Sequence, residues 1–69
     1  MVADREVHTV LQEIIRQLDP SLREALLLRV TGNLSYAEIA EVTGVTIATV
    51  AMRVHRARER LRRHLARVA

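Results

Sequence analysis

All eleven basic residues of this 69-residue chain are arginine, and seven of them crowd toward its end: Arg53, Arg56, Arg58, Arg60, Arg62, Arg63 and Arg67. Residues 46–69 balance to +6 with a single acid, Glu59, whereas residues 1–45 balance to −3. Guanidinium groups present a planar fork of donors that fits phosphate oxygens and the major-groove edge of guanine. Charge gathered on one element in this way is the footprint of a polyanion-binding surface. A solvated helix end whose cations match the helix dipole has the same composition, and charge by itself leaves both open.

The residues just ahead of this cluster supply what arginine lacks. Thr46, Ala48, Thr49, Met52, Arg53 and Arg56 fall on the first exposed turns of one helix. A helix in the major groove reads base edges with such turns, while flanking cations hold the phosphates. Arg56 lies centrally on the polar side and suits a fork onto guanine, worth roughly 1–3 kcal/mol of discrimination, or a phosphate contact. Arg60 continues the same line. Ala48, Met52 and the Thr49 methyl suit contact with thymine methyl groups, and Met52 suits a protein neighbour equally well. Ser35 and Tyr36 begin the preceding helix, where free backbone amides make a phosphate site. Tyr36 can also bury its ring against the last helix, and the two roles are compatible.

Other chemistry lacks an inventory. Ser21 and Ser35 stand where helix caps are needed, with no histidine near them in sequence. His55 and His64 are nine residues apart, half a turn of azimuth on one helix, so they cannot share an ion. There is no cysteine and no glycine-rich phosphate loop. The expectation is a protein without catalytic residues, metal or cofactor. Tyr36 is the only aromatic, which argues against base-stacking on single strands or RNA. No apolar run is long enough to span a membrane and no leader pattern opens the chain. A cytoplasmic location is expected.

The elements that must position these residues are read from their punctuation. Pro20, Gly32 and Gly44 divide the chain into four segments. The pattern predicts an all-α fold of four helices, about 4–18, 20–31, 35–43 and 46–67, forming one domain over residues 1–69. In the first helix, capped by Asp4, Val7, Val10, Leu11, Ile14, Ile15 and Leu18 make one apolar stripe. The second starts either at Asp19-Pro20 or with a Ser21–Glu24 capping box. Leu22, Ala25, Leu26, Arg29 and Val30 mark its face. Leu27 and Leu28 widen that face, which suits the central helix of the fold. Gly32-Asn33 ends it.

The third helix carries a capping box, Ser35 with Glu38, and buries Ile39, Ala40 and Val42. Gly44 turns the chain, and Thr46 caps a fourth helix some 20 residues and about 30 Å long. Its apolar line is Ile47, Val50, Val54, Ala57, Leu61, Leu65 and Val68. Arg58 falls at the edge of that line, placed to pair with Glu24 or Glu38. Short helix, tight turn and long arginine-rich recognition helix together spell helix-turn-helix, and with it DNA binding.

Three stretches resemble the C-terminal domain, region 4, of bacterial sigma factors of the extracytoplasmic-function group: Leu22 to Arg29, Leu34 to Glu41 and Thr49 to Leu61. The likeness covers about residues 10–65. It implies a helical domain that binds the −35 element of double-stranded promoter DNA, docks on the β flap of RNA polymerase, and is often held by an anti-sigma factor. Arg53 and Arg56 match the family's DNA-facing positions. Thr43 stands where a leucine is usual, Ala48 where a glycine is usual, and Ala51 and Met52 where polar residues are usual. Those departures imply an unusual sequence preference or a protein partner for this surface. A LuxR-type regulator output domain has a similar layout, but the Arg-Ala-Arg-Glu-Arg-Leu extension favours sigma. A module that binds only polymerase, an activator or an anti-sigma factor is the reading from a different class.

Overall fold

The computed structural model describes residues 4–68, with the side chains of residues 4, 5, 7 and 68 outside the described set. The cap assigned to Asp4 and the stripe positions of Val7 and Val68 therefore lie outside the described residues. The described chain is all-α: α1 (Asp4–Gln17), α2 (Pro20–Val30), α3 (Tyr36–Thr43) and α4 (Ile47–Val68).

Each helix boundary has a local cause. Asp19 occupies the position before α2, and its carbonyl accepts the Arg23 amide at 2.9 Å, but its carboxylate makes no cap bond. Pro20 opens the helix with φ already suited to it, and no Ser21–Glu24 box forms. At the far end of α2, Asn33 takes the left-handed conformation (φ 54°), not Gly32. Gly32 is needed for space, because a Cβ there would sit 2.8 Å from the Leu28 carbonyl oxygen. The capping box of α3 is complete: Ser35 Oγ accepts from the Glu38 amide at 3.1 Å, and the Ser35 amide donates to the Glu38 carboxylate at 2.9 Å. Gly44 ends α3 at φ 74°, and the Gly44 and Val45 amides share the Ala40 carbonyl. Thr46 then caps α4 by accepting the Thr49 amide at 3.1 Å.

Packing is organised by α4, which contacts all three other helices, so it and not α2 is the central helix. One buried cluster joins Ala25 of α2, Ile39 and Ala40 of α3, and Val50 and Val54 of α4, with Leu28, Leu34, Tyr36 and Val45 packed against it. A second joins Leu18, Leu22, Leu26 and Ala57, with Ile15 and Leu61 beside them. Ile39, Val50, Val54 and Ala57 are completely shielded from solvent. Each of the three larger side chains stabilises the fold by about 1.5–3 kcal/mol through burial. Alanine at 25, 40 and 57 lets the helix backbones approach closely.

Four apolar positions expected on buried faces are not covered. Val30 is 64% exposed, Val42 68%, Ile47 53% and Leu27 39%. Ile47 shares the azimuth of Val50 and Val54 but lies in the opening turn of α4, where no neighbour covers it. Val42 and Val30 lie toward the ends of their helices and turn away from α4. The α2 face is thus narrower than its sequence suggests. Arg29, placed on that face, is half-buried; it donates to the Leu34 carbonyl at 3.2 Å and lies 5.8 Å from the centroid of the Tyr36 ring.

Candidate nucleic-acid interface

The helix-turn-helix frame is α3, the turn Gly44-Val45-Thr46, and the first half of α4. The first cluster fixes its geometry. Ile39 and Ala40 lock α3 onto Val50 and Val54, so the opposite side of α4 faces outward. At about 100° per residue, Met52 lies directly opposite the buried seam, with Ala48, Arg56 and Arg63 close beside it. Thr49, Arg60 and Arg53 follow in that order round the helix toward the flank nearer the core. Burial agrees: Ala48, Met52, Arg56, Arg60 and Arg63 are exposed, whereas Thr49 and Arg53 are half-buried.

The two threonines are engaged with each other. Their Oγ1 atoms lie 2.9 Å apart, and Thr46 Oγ1 also accepts the Thr49 amide. The opening of the exposed face is consequently poor in free hydrogen-bonding groups: two paired hydroxyls, the Ala48 methyl and the Met52 thioether. Met52 is 41% exposed. One turn further on the face becomes cationic.

Acids interrupt the arginines. Arg60 donates to the Asp19 carboxylate at 3.4 Å. Glu59 lies 3.2 Å from His55 Nε2 and shares a shallow surface groove with Arg56, Arg60 and Arg63. His64 Nδ1 meets the Arg60 carbonyl at 2.7 Å. The four-residue spacing of His55 and Glu59 announces their pairing in the sequence. That of Asp19 and Arg60 has no sequence signal, because the two lie on different helices. Arg58, by contrast, is exposed and makes no ion pair among the described residues. Glu38 is committed to the Ser35 cap, and Glu24 forms no ion pair among the described residues.

At the start of α3, the capping box occupies the Ser35 and Glu38 amides and leaves those of Tyr36 and Ala37 open to an outside acceptor. The Ser35 bonds hold the Glu38 carboxyl below the ordinary glutamate range, so a negative charge already sits at this helix end. The Tyr36 ring is half-buried against the core. No cluster of three or more metal-ligating side chains occurs among the described residues, and no helix is long and apolar enough to cross a membrane.

Known proteins are similar to this chain in sequence. The family model for region 4 of sigma-70 matches residues 8–61. The chain is 39% identical over 64 residues to the ECF RNA polymerase sigma factor SigE of Mycolicibacterium smegmatis, covering 93% of this chain and 25% of the relative. It is 34% identical over 64 residues to the ECF RNA polymerase sigma factor SigW of Bacillus subtilis, covering 93% of this chain and 34% of that one. It is 43% identical over 54 residues to the RNA polymerase sigma-H factor of Pseudomonas aeruginosa, covering 78% of this chain and 28% of the relative. The chain therefore spans about a quarter to a third of the length of these relatives. The described helices, the turn on Gly44 and the matched span agree, and the chain belongs to the sigma-70 region 4 family.

Proposed function

We propose that this chain reads the −35 element of double-stranded promoter DNA as region 4 of an extracytoplasmic-function sigma factor, docked on the β flap of RNA polymerase. The observation that carries the reading is the exposed face of α4, which runs from Ala48 through Met52 to Arg56, Arg60 and Arg63 and is held outward by the buried Ile39–Val50–Val54 cluster. A rigid frame behind a cationic helix face is what major-groove insertion requires. The relatives' names, sigma factors of RNA polymerase, support polymerase as partner.

In this reading residues 1–69 act as one domain. Ala48, Thr49 and Met52 face base edges, with Thr46 beside them. Arg56 reads a base or holds a phosphate, and Arg53 and Arg60 hold phosphates. The open amides beside Ser35 and Tyr36 take a backbone phosphate. The protein works in the cytoplasm without catalytic residues, cofactor or metal.

The test is duplex binding at several salt concentrations. Four to six neutralised phosphates give a log–log slope of about −4 to −5. A flat response removes the DNA role.

A second reading draws on the uncovered Leu27, Val30, Val42 and Ile47. They suit a protein partner such as polymerase, an activator or an anti-sigma factor, and size-exclusion with promoter DNA present and absent separates the two readings.

A further inference from the structure

We propose that the opening turns of α4 select their site by the C5-methyl groups of thymine, through an apolar patch made of Ala48, the Thr49 methyl and Met52. This rests on the DNA-reading role proposed above and specifies what that face recognises.

Three observations carry it. First, the patch is poor in polar side-chain groups, and its two nearby hydroxyls are engaged with each other. The Thr46 and Thr49 hydroxyls lie 2.9 Å apart, and Thr46 Oγ1 also receives the Thr49 amide. The Thr46 hydroxyl cannot swing to a base without breaking the cap that starts the helix, and the Thr49 hydroxyl cannot without giving up its bond to Thr46. Second, the apolar groups are exposed where a groove-inserted helix meets bases. Met52, 41% exposed, stands opposite the fully buried Val50 and Val54, and Ala48 lies one turn before it. Third, the patch is flanked by cations. Arg53 and Arg56 follow Met52 within one turn, and Arg60 and Arg63 continue beyond them. That charge complements phosphate and makes duplex DNA the occupant of the patch rather than an apolar protein surface. Thymine offers the only apolar group in the major groove, and alanine, threonine methyl and similar side chains are its natural contacts.

Met52 and Arg56 are four residues apart, about 6 Å along the helix axis, so the methyl contact and the Arg56 contact fall on one short stretch of groove.

The test begins with the best duplex recovered from a random-sequence pool by the full chain. Each thymine is replaced singly by deoxyuridine, which removes the C5-methyl and leaves the hydrogen-bonding edge unchanged. Burial of one methyl corresponds to about a fourfold change in affinity, so one or two uracil positions are expected to weaken binding by about that factor. The same penalty is expected to vanish in Met52→Ser, a substitution at an exposed position that leaves the core intact. Unchanged affinity at every uracil position, with selection over random duplex retained, overturns methyl reading and leaves DNA reading standing. A full uracil penalty persisting in Met52→Ser overturns the assignment to this patch. Absence of any duplex binding overturns both.

Discussion

The Arg60 guanidinium bonds the Asp19 carboxylate at 3.4 Å across 41 positions of sequence, tying the start of α2 to the middle of α4. Both side chains are substantially exposed, 47% for Arg60 and 67% for Asp19, so the pair contributes at most about 1 kcal/mol to stability. Its larger consequence is for binding, because a phosphate must compete with Asp19 for Arg60.

Asp19→Asn frees Arg60 without changing the local shape. Affinity for random duplex is expected to rise and the salt slope to steepen by about 0.9, one added phosphate contact. Binding isotherms at several salt concentrations, paired with a denaturant melt, check both effects. An unchanged slope shows that Arg60 does not reach a phosphate.

Glu38 gives the fold an acid-sensitive point. Its carboxylate accepts the Ser35 amide, and this bond, with a smaller contribution from the Ser35 side chain, holds its pKa below the ordinary range. Because the folded-state value is the lower one, the contribution is complete above the ordinary glutamate range and is lost as pH falls through the depressed value. Glu38→Gln keeps a capping group that does not titrate. Its melting temperature is expected to decline less than that of the parent protein between about pH 5 and about pH 2. Ser35→Ala removes the cap and costs about 1 kcal/mol at neutral pH. Thermal melts followed by helical circular dichroism read both.

The two glycines are required for different reasons, and substitution separates them. A Cβ at position 32 meets the Leu28 carbonyl at 2.8 Å, a backbone atom that cannot step aside. Gly32→Ala and Gly32→Asn are both expected to destabilise by about 1–3 kcal/mol. Position 44 has open space but a φ of 74°. Gly44→Ala is expected to cost about 1–2 kcal/mol, and Gly44→Asn clearly less, since asparagine tolerates the left-handed region. Denaturant midpoints of the four variants give the comparison.

Arg56 stands one turn beyond Met52 on the exposed face. Arg56→Ala is expected to weaken binding to the best site by about 1–3 kcal/mol and to random duplex by less. Equal losses on both duplexes identify Arg56 as a phosphate contact. Competition binding with the two duplexes measures the difference.

The features legible from residue order are those closed by bonds over three to five residues. Ser35 with Glu38, Thr46 with Thr49 and the turn on Gly44 follow from side-chain type and spacing, because both partners travel on the same short stretch. So does the seam Val50, Val54, Ala57 and Leu61, whose period matches the helix. These local rules determined that four helices form and which side of α4 turns outward.

What covers a helix face is a different question, since it depends on elements remote in sequence. Ile47 continues the seam by period, Val42 and Val30 by hydrophobicity, yet all three stay exposed because no neighbouring helix reaches them. Only the tertiary packing made α4 the hub, joined Arg60 to Asp19 and left Arg58 without an ion pair among the described residues. The physical reason is range. Capping and periodicity act within a turn or two of one chain segment, whereas burial and ion pairing between helices are decided by how those segments cross.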